Sequence, residues 1–185
     1  MKRALLFDMD GTLFDTSYVN FLAYQKALKE ENRDLTLEFY RTNCEGRNYK
    51  EFLVDLVSVN KIETVHSNKV AYYPQFLSMA KQNVRLFDVL VELKLIYSTG
   101  LVTTASRENT EEILRVFERR NLFDIIIAKE DIQCTKPNPE CYLKAMQLLD
   151  CEPQNTIIFE DSEIGLRAAV ESGANVVRVE RFQFV

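Results

Sequence analysis

Along the chain the rhythm of apolar and polar positions changes twice. Ala4-Leu5-Leu6-Phe7 is an unbroken apolar run that stops abruptly at Asp8, the pattern of a buried parallel strand with a charged tip. Gly11 follows at once and permits a tight turn. Beyond Asp15-Thr16 the apolar spacing becomes helical, with Phe21, Tyr24 and Leu28 on one face and Lys26, Lys29, Glu30 and Glu31 beside them. Asn32-Arg33-Asp34 interrupts, Leu35 to Tyr40 reads as a short helix, and Asn43-Cys44-Glu45-Gly46-Arg47-Asn48 reads as a polar loop. Tyr49, Phe52, Leu53, Leu56 and Val57 predict an amphipathic helix. Asn60-Lys61 breaks it, and Tyr72, Tyr73, Phe76, Leu77 and Ala80 predict another, with Pro74 marking a kink or a start near Tyr73. No strand signal occurs between residues 16 and 82.

From Leu86 the rhythm alternates. Leu86, Leu90, Leu93 and Tyr97 predict a helix ending near Ser98-Thr99-Gly100, and Leu101-Val102-Thr103-Thr104 predicts a short strand ending in hydroxyls. Ser106 to Asn109 turns the chain into a helix headed by Ile113, Leu114 and Phe117, and Ile125-Ile126-Ile127-Ala128 is a further buried strand. Asn138-Pro139 supplies an N-cap and a first-turn proline to a helix that buries Tyr142, Ala145, Met146 and Leu149. Thr156-Ile157-Ile158-Phe159 is a strand ending in Glu160-Asp161. Leu166, Ala169 and Val170 are expected to face the core from a helix stopped by Gly173, and Asn175 to Val179 is the last strand. Such alternation predicts an α/β fold, a doubly wound parallel sheet of Rossmann-like type. The expected core comprises residues 1–15 and 84–185, and residues 16–83 form a small all-helical domain set into it.

Length and charge narrow the function classes. A chain of 185 residues suits one core with an elaboration. Its net charge is −5 and no Lys/Arg cluster stands out, which argues against nucleic-acid binding. An acidic protein that binds anions needs a local device, a metal ion or a few placed cations. Cys44, Cys134, Cys141 and Cys151 share no metal-ligand or disulfide spacing and read as free thiols of a reducing cytoplasm. No signal peptide and no membrane-spanning run is expected.

The chemistry collects at strand tips: Asp8 and Asp10, Thr104, Lys136 beyond the third strand, and Glu160-Asp161. A parallel sheet gathers these ends on one edge. Each residue has a local explanation as a turn or helix cap, but together they form a cluster of carboxylates, one hydroxyl and one ammonium. Two carboxylates about 4 Å apart repel by about 4 kcal/mol at an effective dielectric of 20, so Asp8, Glu160 and Asp161 need a cation. Magnesium meets that need with oxygen ligands. Zinc does not, since His66 is the only histidine, and His66 reads as a solvated residue of the helical region.

Asp8-Met9-Asp10-Gly11-Thr12, then Thr104, then Lys136-Pro137, then Glu160-Asp161-Ser162 with Gly165 resemble, in order and spacing, the motifs of the haloacid dehalogenase-like superfamily. The helical insertion between the first and second motifs resembles the small cap of one subclass, similar to β-phosphoglucomutase-like and phosphoglycolate phosphatase-like proteins. The resemblance implies Asp8 as nucleophile and Asp10 as general acid and base. It implies Thr104 and Lys136 as phosphate ligands, and Mg2+ held by Asp8, the Asp10 carbonyl, Asp161 and Glu160. It also implies Arg47, Lys50 and Lys69 as cap residues that contact substrate. The expected reaction is hydrolysis of a small phosphorylated metabolite, of sugar phosphate, phosphoglycolate or nucleotide type, by a monomer or weak homo-oligomer. The alternatives are a phosphosugar mutase and a non-catalytic interaction module. Asn20 stands where the mutase carries a histidine, and Thr12 also resembles the phosphatases; no motif residue is lost, as an interaction module would allow.

Overall fold

The computed structural model describes residues 2–180. In chain order the elements are β1 (Ala4–Phe7), β2 (Phe14–Asp15), α1 (Ser17–Glu30), α2 (Leu37–Phe39), α3 (Tyr49–Phe52), α4 (Ile62–Tyr72), β3 (Lys81–Gln82), α5 (Val84–Leu93), β4 (Ser98–Val102), α6 (Arg107–Val116), β5 (Ile125–Ile127), α7 (Glu140–Leu149), β6 (Thr156–Glu160), α8 (Glu163–Glu171) and β7 (Asn175–Arg178). They divide into two compact units, one of Met1–Asp15 with Lys81–Val185 and one of Thr16–Ala80. None of the described helices is long and apolar enough to cross a membrane.

The first unit is α/β. Its sheet has the order β5-β4-β1-β6-β7, with every pair parallel. β1 lies at the centre and all its residues are buried, which is why its sequence is continuously apolar rather than alternating. Leu5 is opposite both Thr99 and Ile157, so Phe7 meets Phe159 and stacks on it at 4.6 Å. Leu6, Val102, Ile127, Tyr142, Met146 and Ile158 fill the core on one face. The chain leaves β1 to one side and returns to its other side at β6, so the crevice for a ligand falls beyond the tips of these two strands.

Three sequence expectations change in this unit. The strand expected at Leu101 begins at Ser98, and Gly100 lies inside it instead of ending a helix. A Cβ at Gly100 would stand 2.8 Å from Leu6 Cδ2 and 3.1 Å from Ile125 Cγ1, so the glycine is there for close packing between strands. In α8 the buried residues are Gly165, Ala168 and Ala169, whereas Val170 is 66% exposed. Small residues let this helix approach the sheet closely. The boundary expected at 83/84 falls at 80/81, because Lys81 and Gln82 pair antiparallel with Asp15 and Phe14.

The second unit is helical and has its own core of Phe21, Tyr24, Leu28, Tyr40, Leu53 and Val65. The helix expected over Tyr49–Val57 stops at Phe52 and continues as a 3-10 turn over Leu53–Asp55. The helix expected over Tyr72–Ala80 is displaced. An α-helix occupies Ile62–Tyr72, and Tyr73–Met79, with Pro74 in its first turn, is 3-10. Within α4 only Ile62 and Val65 are buried, too few to mark a stripe in the sequence.

Truncating Leu90, fully buried in α5, should cost about 2–5 kcal/mol, while Val170→Ala should change stability by less than about 0.5 kcal/mol. Urea unfolding of the two variants checks this, and a large loss at Val170 would contradict the orientation of α8.

Candidate active site

Four loops at the C-terminal edge of the sheet build the site. After β1, the Asp8 backbone N–H donates to Phe159 O at 3.0 Å, so the nucleophile candidate is held on the strand itself. The chain then turns through Gly11, at φ +91°, where a Cβ would lie 2.3 Å from Asp161 Oδ2. Only glycine satisfies both demands. Met9 O accepts from the N–H groups of Leu13 and Phe14, and Gly11 N–H donates to Phe14 O at 2.7 Å, which closes the turn. Asn83 then braces it by donating to Thr12 O at 3.1 Å while its Oδ1 caps α5 at Leu86 N–H. Thr12 is buried and its hydroxyl donates to Asp161 Oδ1 at 3.2 Å.

The loop between β5 and α7 delivers Lys136. Gln133 and Cys134 donate backbone N–H groups to the Glu140 carboxylate at 2.9 and 2.7 Å, and Asn138 Oδ1 accepts from Glu140 N–H at 2.9 Å. This ties the loop to the first turn of the helix, and the Lys136-Pro137 peptide within it is cis. Lys136 is 7% exposed and its Nζ donates to Asp8 Oδ1 at 2.6 Å and Glu160 Oε2 at 2.7 Å, with Val102 O at 3.4 Å. Glu160, the last residue of β6, and Asp161 after it are buried just before α8, which Ser162 caps by accepting from Gly165 N–H.

The sheet thus brings Asp8, Lys136, Glu160 and Asp161 together. Asp10 is exposed just after β1, and Thr104 is exposed beyond Val102 at the end of β4. The neighbouring Thr103 is the buried one, its hydroxyl oxygen accepting from Ala105 N–H at 3.0 Å. In the helical unit Arg47 is exposed and donates to Asn43 O at 2.7 Å, Lys50 pairs with Glu63 at 3.2 Å, and Lys69 lies 4.6 Å from the Tyr73 ring centre and 5.3 Å from that of Tyr24.

Sequence reasoning missed Tyr142. At helical spacing it reads as core, and it is fully buried, yet its hydroxyl donates to Glu160 Oε2 at 2.7 Å. Thr12 was visible only within its motif, and nothing in the sequence linked it to Asp161.

Burial pushes the Asp8 carboxyl up to about 8; Lys136 opposes this and Glu160 and Asp10 reinforce it. Burial also acts to raise Glu160, but Lys136, Ser162 N–H and Tyr142 outweigh it and hold that carboxyl below its ordinary value. For Lys136 burial favours the neutral amine, and the surrounding Asp8, Tyr142 and Glu160 reverse this and keep the ammonium charged. Oxygens of Asp8, Glu160 and Asp161 lie within 4.8 Å of one another. An all-carboxylate set without His or Cys fits a hard divalent cation such as Mg2+ and does not fit zinc.

A strand-tip aspartate paired with a buried lysine, facing an acidic pair across the switch point of a doubly wound sheet, defines a class of hydrolase. Residues 5–179 match the haloacid dehalogenase-like hydrolase family, and the chain belongs to it. It is similar to a phosphorylated carbohydrates phosphatase of Thermotoga maritima, with 29% identity over 181 residues, 92% of this chain and 82% of the relative. Among solved structures it is similar to a putative beta-phosphoglucomutase from Thermotoga maritima, with TM-score 0.84, 25% identity and coverage of 100% of this chain and 88% of the other. It is also similar to CbbY from Rhodobacter sphaeroides in complex with phosphate, with TM-score 0.81, 27% identity and coverage of 98% and 88%.

The raised Asp8 pKa fixes a pH dependence. Its protonated form is favoured by the fold, so stability is fully present below the ordinary value of 3.8 and is lost as pH rises towards about 8. In chelator, the melting-temperature advantage of Asp8→Asn over the wild type should therefore be smallest near pH 4 and grow until about pH 8. A constant difference across that range would contradict the assignment.

Proposed function

We propose that the protein is a Mg2+-dependent phosphatase that hydrolyses a small phosphomonoester through an aspartyl-phosphate. The observation that carries this reading is the Asp8 carboxylate, fixed on a rigid strand tip 2.6 Å from the buried Lys136 ammonium and within metal-sharing reach of Asp161. Phosphoryl transfer asks mainly for positioning and charge stabilisation, and this rim supplies both.

Asp8 attacks phosphorus, forming a P–O bond to its carboxylate as the ester P–O bond breaks. Asp10 gives a proton to the leaving alkoxide. It then takes one from a water molecule that attacks the aspartyl-phosphate, which returns Asp8 and releases phosphate. Lys136 and the Thr104 hydroxyl hold phosphoryl oxygens, and Thr12 orients Asp161 through its hydrogen bond. Mg2+, when bound by Asp8, Asp161, Glu160 and the Asp10 carbonyl, would supply positive charge that offsets carboxylate repulsion and favours ionised Asp8. Arg47, Lys50 and Lys69 are assigned to the part of the substrate that carries the phosphate. The phosphatase name of the Thermotoga maritima relative and the phosphate bound in the CbbY structure support the reaction class. Four free cysteines, three of them buried, suit a reducing cytoplasm.

A phosphosugar mutase is the second reading, favoured by the structural similarity to a putative beta-phosphoglucomutase. Asn20, where the mutase carries a histidine, argues against it. Its side chain donates to Thr16 O at 3.1 Å.

A panel of phosphate esters assayed with Mg2+ should give free phosphate from at least one small ester. Chelator and Asp8→Asn should each reduce turnover to background, and full activity in either would remove that element from the mechanism. With β-glucose 1-phosphate and a trace of the bisphosphate, accumulation of glucose 6-phosphate instead of phosphate would favour the mutase.

A further inference from the structure

Asn83 uses every polar atom it has and divides them by sign. Its acceptors serve α5: Oδ1 accepts from Leu86 N–H at 3.2 Å, and the backbone carbonyl accepts from Phe87 N–H at 3.0 Å. Its donors serve the turn after β1: the backbone N–H donates to Leu13 O at 2.9 Å, and Nδ2 donates to Thr12 O at 3.1 Å. Capping alone does not ask for asparagine, since serine, threonine and aspartate offer the same acceptor. The turn asks for a donor as well. Serine and threonine have one oxygen for both tasks, and aspartate has no proton to give; the asparagine amide carries a separate acceptor and donor on one rigid plane. Thr12 is fully buried, so its carbonyl has no solvent to turn to if that donor is lost.

The turn held in this way carries Asp10. Asp10 is bridged to Phe14 across it, and Gly11 N–H donates to Phe14 O. Phe14 packs edge-on against Phe87 of α5, with ring centres 5.3 Å apart. α5 therefore grips both the Thr12-Leu13 segment and Phe14, and Asp10 lies between these grips and the end of β1. A proton carrier tolerates little slack. A positioned general acid or base is worth about 10²–10⁴-fold in rate, and a misplacement of about 1 Å can cost about 10²-fold.

We propose that Asn83 is a positioning residue for Asp10, clamping the turn between β1 and β2 onto the first turn of α5 so that the Asp10 carboxyl meets both the leaving oxygen and the attacking water. Asn83 touches neither substrate nor reacting atoms and acts only through the backbone of Thr12 and Leu13. The kinetic consequence rests on the hydrolase reading, in which Asp10 gives a proton in the first step and takes one in the second. The clamp itself rests on geometry alone.

Asn83→Asp and Asn83→Ser separate the two duties. Each keeps an oxygen for the cap and the backbone N–H for Leu13 O, and each loses the amide donor to Thr12 O; only the first adds charge. Both should keep the wild-type circular dichroism spectrum and lower kcat for a small alkyl phosphate by about tenfold or more, with KM little changed. The aryl ester 4-nitrophenyl phosphate gives a readout that a merely structural role would not move. Its nitrophenolate leaves without a proton, so the first step stays fast, while attack of water on the aspartyl-phosphate still needs Asp10. Each variant should therefore release a burst of about one nitrophenolate per enzyme, larger than that of the wild type, followed by slow turnover. A kcat within about twofold of the wild type in either variant, or a loss without a larger burst, would overturn the role of Asn83. If the wild type releases no phosphate from any ester, the hydrolase reading fails instead. Crystal structures of the two variants would still decide the clamp: the Thr12-Leu13 segment should move away from Leu86, and an unmoved turn would overturn it.

Discussion

One ammonium group sits where several acids would otherwise repel one another. Lys136 Nζ lies 2.6 Å from Asp8 and 2.7 Å from Glu160, inside a parallel sheet edge with almost no access to water. Its charge lets β1 and β6 end in carboxylates side by side. Neither a buried lysine nor buried acids would be stable alone, because an unpaired buried charge costs several kcal/mol. The surrounding architecture follows from that requirement. The loop before α7 is tied to Glu140 so that the lysine arrives from the side, and α8 carries glycine and alanine so that Glu160 fits beneath it.

This arrangement shows why an active site is a local concession in an otherwise consistent fold. Strand β1 is continuously apolar up to Phe7, and the chain then places Asp8 where burial strongly favours its neutral form. The acid to which the proposed mechanism gives the attack is thus the one whose charge burial opposes most strongly. Glu160, by contrast, is charged in the same region without strain, because backbone N–H groups at the start of α8 and a tyrosine hydroxyl solvate it in place of water. Two neighbouring carboxylates differ in character because different donors reach them.

Much of this was legible in the sequence, for identifiable reasons. The α/β class could be read from apolar runs each ending in a polar residue, since buried parallel strands leave that mark. Asp8, Lys136 and Asp161 were legible because their positions just beyond such runs force them to one edge. The extent of β4 was not legible, because Gly100 signals a helix end when seen alone and a tightly flanked strand only when Leu6 and Ile125 are seen on the strands at either side of it. The inward face of α8 was misread at Val170 because periodicity rewards large apolar residues, while the contact there is made by Gly165, Ala168 and Ala169. Tyr142 escaped because a buried aromatic at helical spacing is ordinary. Its hydroxyl matters only through Glu160, a partner eighteen residues further along the chain.

The short antiparallel pair of β2 and β3 has a meaning for how such proteins diversify. Phe14 faces Gln82 and Asp15 faces Lys81, so the chain exits and re-enters the α/β unit through adjacent positions one strand spacing apart, about 5 Å. Asn83, immediately after, is hydrogen-bonded to the carbonyls of Thr12 and Leu13, so the seam is fastened independently of whatever lies between its ends. Closing a loop across such a fixed gap costs only slowly more as the loop lengthens, about 0.6 kcal/mol for each doubling. The seam is therefore a socket. Segments of very different length can be plugged into it, exchanged or trimmed without disturbing the sheet that carries the acids.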